Sequence, residues 1–337
     1  MRSSGDPHLV VVGAGIVGLF TALHYQRRHP RHRVIVLERG PHPTGASVKN
    51  AGFACFGSPS ELLADMDNEG ADGALIRVEE RWLGLLELRA ELGDQAIGYE
   101  ATGGHEIYTA DDPLYTRVAD RFDQLNQQLA DIVGASVFQW YNAAIARFGL
   151  SRTAHLVRDD RECPLHSGLL MNALMGKAQE AGVMLRVNSA VTAINEADGH
   201  AAVHLVNGEL LRAGRVVVAT NGYASELLPD LDIRPARGQV LLTSSVPGLR
   251  LRGTFHMNEG YFYFRDLHGA ILLGGGRILD LAGEATTEDG VTDQIQSALE
   301  EMLRDVILAG RTFTIEQRWS GIMGFRSTGK TPLVEYV

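Results

Sequence analysis

Cysteine is scarce in this chain: there are two, Cys55 and Cys163, among 337 residues. They lie far apart and neither has a Cys-x-x-Cys partner, which excludes a zinc site of the usual spacing and is compatible with a reducing compartment. Long apolar runs are missing too. The first hydrophobic stretch is broken by Gly13, Gly15 and Gly18 and runs into His24 and Gln26. That is too interrupted for a membrane span, and a signal peptide would need a small-residue cleavage site that it lacks. Positive charge is in deficit: 31 Lys plus Arg against 41 Asp plus Glu leave a net charge of −10, whereas a sequence-independent grip on nucleic acid needs clustered positive charge. Runs of like charge, low-complexity tracts and internal repeats are absent. The expectation is a cytoplasmic protein with no transmembrane segment, no nucleic-acid partner and no metal.

What is present is a 45% apolar composition in a length that suits two domains. Residues 8–21 read HLVVVGAGIVGLFT. Leu9 to Val12 form a continuous apolar run of the kind found in a strand buried on both faces of a parallel sheet. Gly13-Ala14-Gly15-Ile16-Val17-Gly18 follows, then a helical pattern to about Arg28, with Val17, Phe20, Ala22, Leu23 and Tyr25 available for burial. In such a Gly-x-Gly-x-x-Gly, Gly13 makes the tight turn, Gly15 lets the backbone approach a pyrophosphate, and Gly18 allows close helix–strand packing. The pyrophosphate would sit on the free N–H groups at the helix start. Arg33 to Leu37 reads as the next strand, and Glu38 ends it about 20 residues beyond the glycines, where an acid accepts from ribose hydroxyls and disfavours a 2′-phosphate. The chain therefore binds a dinucleotide.

The βα alternation then breaks. Residues 40–63 form a glycine-rich passage, and apolar spacing predicts helices over about 72–93, 112–133 and 137–148. The parallel-sheet pattern returns over 169–194, followed by a hairpin signal at Asn207-Gly208 and a buried strand that runs into Ala219-Thr220-Asn221-Gly222. Residues 238–245, 260–266 and 270–276 read as strands of an antiparallel sheet, with turns at Pro247-Gly248 and His268-Gly269. A helix over Val291 to Leu308 can cover one face of that sheet.

At this point the chain resembles the FAD-dependent amine and D-amino-acid oxidoreductase (DAO) family, which includes glycine oxidase and sarcosine oxidase. The resemblance spans residues 8–337 in order and rests on the fingerprint with GASVKNAGF (45–53), VVVATNGY (216–223), RPARGQVLLT (234–243), YFYFR (261–265), ILLGGGR (271–277) and WSGIMGF (319–325). It implies an α/β fold: a Rossmann-like FAD-binding domain on a parallel sheet, with an inserted α+β substrate domain built on an antiparallel sheet that roofs the flavin. The expected boundaries are 1–60, 152–232 and 311–337 for the FAD-binding domain, and 61–151 with 233–310 for the roof. The resemblance implies FAD held non-covalently. It places Ser47, Asn50 and Ala51 near the pyrophosphate and isoalloxazine, the Val191 backbone on the adenine, Thr220, Asn221 and Gly222 beside the nucleotide, and Arg39 at the adenosine end.

The implied activity is oxidation of the C–N bond of an amine or amino acid by hydride transfer to flavin, giving an imine that water hydrolyses. Amino acid oxidases and D-amino acid dehydrogenases belong to the family that the chain resembles. An obligatory acid–base side chain is not expected, so no catalytic residue is named. Candidates for substrate contact are Tyr261, Tyr263 and Arg265, sharing one face of a strand by its period of two, His256 just before it, and Arg326. Two other readings stand beside this one: an NAD(P)H-using flavin hydroxylase-type enzyme, which would need a second nucleotide site, and an FAD-binding chain without its own catalysis.

The sequence departs from the family pattern in three places. The arginine that follows Trp-x-Gly in amino-acid-oxidising members is displaced to Arg326. The strand Ala270 to Leu273 lacks the lysine that helps oxygen accept electrons in sarcosine-oxidase-like members, so the electron acceptor is O2 or another carrier. After KTPLVEYV the family continues with a strand, a turn and a helix, so the FAD-binding domain is expected to be incomplete at its C-terminal end.

Overall fold

The computed structural model describes residues 6–134, 136–197 and 199–336. They divide into two compact units. One contains the described residues up to Asn50 with Ser167–Ala236 and Gly321–Ser327; the other contains Ala51–His166, Arg237–Ser320 and the residues from Thr328 onward.

The first unit is built on a parallel sheet in the order Arg215–Val218, Leu9–Val12, Val34–Leu37, Met184–Arg186. Its two central strands are buried along their whole length, as a run of Val, Ile and Leu demands when both faces are covered. Val10, Val12, Ile35 and Leu37 form one core with Val203, Leu205 and Ala213, the last three from an antiparallel sheet of Val191–Ala197, His200–Leu205 and Leu210–Ala213. The Asn207-Gly208 turn closes its second hairpin, with Gly208 at φ 87°.

Helix Ile16–Arg28 buries Gly18, Leu19, Ala22, Leu23 and Gln26. Val17, expected to be available for burial, is 69% exposed. At 100° per residue it points away from the stripe of Leu19, Ala22 and Leu23. Buried Gln26 closes the helix end, its Nε2 donating to the carbonyls of His29, Pro30 and His32.

Most of the second unit's strands join one eight-stranded sheet. Its order is Ile315–Phe325, Arg234–Thr243, Ala270–Gly275, Phe262–Leu267, Thr254–Met257, Gly104–Tyr108, His155–Asp159, Phe138–Trp140. The expected antiparallel pairing joins Arg234–Thr243, Ala270–Gly275, Phe262–Leu267 and Thr254–Met257 in turn, whereas Thr254–Met257 runs parallel to Gly104–Tyr108. Two segments far apart in sequence meet there without a hairpin to fix their sense. One face packs Leu241, Phe255, Phe264, Ile271 and Leu273 against Ile295, Leu299 and Leu303. These come from helix Asp293–Met302 and the wider π turn Leu303–Ile307 that continues it. Helices Pro59–Glu69, Ala71–Leu92 and Pro113–Val133 enclose a second core around Phe56, Leu62, Val118, Leu129 and Val157.

The expected helix over 137–148 is corrected. Phe138–Trp140 is an edge strand, followed by a 3-10 turn at Asn142–Ala144 and a single helical turn at Ile145–Phe148. The Asn126 side chain favours the strand: its Oδ1 accepts from the N–H groups of Val137 and Phe138, and its Nδ2 donates to the Phe138 carbonyl. Those backbone groups are no longer available to a helix.

Candidate functional site

In the first unit the three fingerprint glycines have distinct geometric duties. Gly13 sits at φ 104°, where a Cβ would lie 2.6 Å from the Ala219 carbonyl oxygen. A Cβ on Gly18 would collide with the carbonyl oxygen of Gly13, so any side chain there would push helix from strand. Gly15 faces Ser47: the Ser47 hydroxyl accepts from the Ile16 N–H at 3.0 Å and would be equally close to a Cβ on Gly15. The helix thus begins at Gly15 with no side-chain cap of its own and no acid in its first turn, which leaves the positive helix end open to an anion.

Glu38 lies buried at the end of its strand. Its Oε2 accepts from the Ala14 N–H at 3.3 Å and its Oε1 from the Gly40 N–H at 3.1 Å. An ionised carboxylate offers about four lone-pair sites, so acceptor capacity is left for a ribose. Arg39 places its guanidinium 3.9 Å over the ring of Tyr223. Asn50 caps the short helix Ala46–Lys49 by donating to the Ala46 and Ser47 carbonyls, and its Oδ1 accepts from the Ser167 hydroxyl at 2.7 Å.

Val191 opens its strand and packs against the Val10 and Ile35 core. Thr220 Oγ1 is buried and without a partner. Asn221, at φ 53°, uses its Oδ1 to accept from the Gly324 N–H at 2.8 Å, and a Cβ on Gly222 would lie 2.6 Å from the Met323 carbonyl oxygen. Arg326 Nε is likewise buried and without a partner. A cradle that glycine alone can line, an open helix end, an acid with spare acceptor sites and an orphan threonine hydroxyl fit the adenosine diphosphate of a dinucleotide.

In the second unit Tyr263 and Arg265 share a face of strand Phe262–Leu267, with Phe264 buried on the other. Tyr261 does not belong to that strand. It follows the turn Asn258-Glu259-Gly260, whose φ angles of 54°, 54° and 79° are all left-handed, and its carbonyl accepts from the Gly276 N–H. Three successive positive angles break the period of two before the strand begins.

Arg265 is buried and occupied. Its Nη1 donates to the carbonyls of Leu165 at 2.6 Å, Gly52 at 3.2 Å and Ala51 at 3.4 Å, and its Nε to the Asp266 carbonyl at 3.0 Å. The side chain read as a carboxylate anchor braces the main chain of its own unit. Ala51 takes part through that carbonyl, and its methyl is buried beside Val240 and Leu272.

His256 is also engaged, with Nε2 3.5 Å from Glu162 Oε2. Burial opposes charge on the imidazole, but the contact with Glu162, backed by Glu61 and Glu106, holds its pKa above the ordinary value. His256 and Tyr263 each form a T-shaped contact with Phe53, at centroid distances of 5.1 and 5.8 Å. Phe53, Tyr263 and Trp319 are half-buried around Ala51, Val240 and Leu272. Phe53 ends the GASVKNAGF motif and Trp319 opens WSGIMGF, and their aromatic character is the signal for this wall in the sequence. Burial pushes the Tyr263 hydroxyl up to about 12, so it remains a protonated donor. Burial, and after it Glu162, pushes the Cys55 thiol well above its usual range, which disfavours a reactive thiolate.

Among the described residues no helix is long and apolar enough to cross a membrane, and no group of three or more His, Cys, Asp and Glu could hold a metal ion. No curated protein matches the chain in sequence. Among solved structures it is similar to glycine oxidase from Geobacillus kaustophilus, with a TM-score of 0.74 at 21% identity, covering 98% of this chain and 86% of that one. Glycine oxidase from Bacillus cereus gives a TM-score of 0.74 at 18% identity, covering 95% and 84%. L-proline dehydrogenase from P. horikoshii gives 0.69 at 17%, covering 94% and 81%. A family model described as FAD dependent oxidoreductase matches residues 8–337. With that match over nearly its whole length, and a cradle shaped for the cofactor's adenosine diphosphate, this chain belongs to the DAO family of FAD-dependent oxidoreductases.

Proposed function

We propose that this chain oxidises the C–N bond of an amine or amino acid. The observation that carries the reading is the half-buried aromatic wall of Phe53, Tyr263 and Trp319, an apolar surface whose one hydroxyl stays protonated. The names of the similar structures support it, since glycine and L-proline are both amino acids. FAD, when bound, supplies a hydride acceptor.

The chain's own residues do the rest. Gly13, Gly15 and Gly18 would hold the pyrophosphate on the open helix end and Glu38 the ribose, with Arg39 and Val191 at the adenosine. Ser47, Asn50, Ala51, Thr220, Asn221 and Gly222 complete the proposed cofactor contacts. An apolar wall lowers the pKa of an amine by desolvation, so the substrate nitrogen presents its lone pair. Tyr263 Oη can donate to the substrate, whereas the Arg265 guanidinium is spent on main-chain carbonyls. The roof built from 61–151 and 233–310 is proposed as the substrate domain, and O2 or another carrier as the electron acceptor.

The test is anaerobic reduction of the purified flavoprotein by a panel of glycine, sarcosine, D-amino acids, proline and polyamines. Bleaching of the flavin absorbance by one of them supports the proposal, and readmitting oxygen then separates oxidase from dehydrogenase. Bleaching by NADH alone would replace it with hydroxylase-type chemistry. Bound FAD that no donor reduces would mark a non-catalytic chain.

A further inference from the structure

The second unit buries three carboxyl groups close together. Glu106 lies on strand Gly104–Tyr108, Asp159 ends strand His155–Asp159 and Glu162 follows in the turn; they are 1%, 3% and 2% exposed. Two of them are well served. Glu106 accepts from the Ser60 N–H at 3.0 Å and from the hydroxyls of Ser58, Ser60 and Tyr108. Glu162 Oε1 accepts from the N–H groups of Phe56 and Gly57, both at 2.8 Å. Together they fix the turn that enters helix Pro59–Glu69.

Asp159 is only half served. Its Oδ1 accepts from the Arg161 N–H at 2.8 Å, while its Oδ2 has no partner. His256 Nε2 makes no hydrogen bond either, although it stands 3.5 Å from Glu162. Both residues line one cavity of about 10 Å³, with Ser58, Gly104, Glu106 and Glu162. That is roughly the space one water requires, in a site polar enough to hold it. Buried polar atoms left dry are expensive, and water is their usual partner.

We propose that this cavity is a binding site for a single water, which bridges Asp159 Oδ2 to His256 and Glu162 and completes the network fixing the turn Phe56–Ser60. Burial, and after it the charge of Glu162, pushes Asp159 up to about 8, so near neutral pH Oδ2 carries a proton and donates it to the water. The groups around it are mostly acidic: Asp160 and Glu162 on its own segment, Glu106 on the adjoining strand, and Glu61 and the Cys55 thiol from the passage before and within helix Pro59–Glu69. Against them stand His256, Arg161, 4.0 Å from Asp159 Oδ1, and Arg81, 4.0 Å from Glu61. Removing the Asp159 proton sets a second negative charge against Glu162, whose other oxygen holds the Phe56 and Gly57 amides. The turn then loosens.

Two measurements test this. In hydrogen exchange corrected for intrinsic rates, protection over residues 55–62 should fall about tenfold or more between roughly pH 6 and pH 9. Asp159→Asn, which keeps a donor at that position and cannot ionise, should hold its protection within about twofold. An equal fall in both proteins, or no fall in the wild type, overturns the coupling. A crystal structure of the wild-type protein near neutral pH needs no variant: one water in contact with Asp159 Oδ2 is expected, and an empty cavity overturns the site.

Discussion

Tyr263 lies across the face of Gly274. The two are cross-strand partners, and a Cβ on Gly274 would stand 2.5 Å from Tyr263 Cε2 and 2.7 Å from its Oη. The aromatic wall proposed for the substrate exists because its neighbour has no side chain. Gly274→Ala must displace the ring and should cost about 1–3 kcal/mol, as overpacking does. Urea denaturation measures the loss, and KM for the amine found by flavin reduction should rise more than kcat falls. An unchanged KM would remove Tyr263 from the substrate wall.

Arg265 is predicted to matter for stability. Arg265→Ala strands the Leu165 and Ala51 carbonyls in a buried setting, where each unpaired group costs about 1–3 kcal/mol, while the Gly52 carbonyl keeps the Leu165 N–H. Arg265→Lys retains one charged donor and should recover part of the loss. Thermal melting compares the two. A variant that melts like the wild type but no longer responds to substrate would return Arg265 to the site.

Glu38 links the fingerprint turn to the residues after its own strand through Ala14 and Gly40. Glu38→Ala should cost about 1–3 kcal/mol and lower the fraction of protein purified with FAD, read from the ratio of flavin to protein absorbance. Glu38→Gln keeps an acceptor and should fall between. Full FAD occupancy in Glu38→Ala would show that the ribose is held elsewhere.

His105 gives a pH signature of its own. It is buried, stacked on Phe255 at 4.5 Å, and burial pushes its pKa down to about 4. The unfolded imidazole takes its proton near 6.5. The stability involved is therefore complete above about pH 6.5 and is lost as pH falls toward 4, up to about 3 kcal/mol. Denaturation midpoints across that window should flatten in His105→Gln. The raised Asp159 acts in the opposite sense, its contribution being lost as pH rises toward 8.

Local pattern was a good guide wherever one period held over a whole element. The runs Leu9–Val12 and Val34–Leu37, helix Ile16–Arg28 and the alternation of Tyr263 with Phe264 follow from the burial each geometry imposes. The pattern failed where a partner from elsewhere took the backbone. Asn126 makes Phe138–Trp140 a strand, and three left-handed residues set Tyr261 off its strand. No spacing in the sequence could reveal that Arg265 meets carbonyls 100 and 213 positions away, or that Glu162 serves amides 106 and 105 positions away.

The sequence by itself determined the dinucleotide cradle, because its glycines, strand and acid are close neighbours in the chain and their geometry is set by backbone sterics over a few dozen residues. Only the tertiary structure decided which polar side chains are already spent on the protein and which keep an unmet donor or acceptor. The physical reason is that a buried hydrogen-bonding group takes whatever partner the packing delivers, and packing joins segments that have no sequence relation to each other.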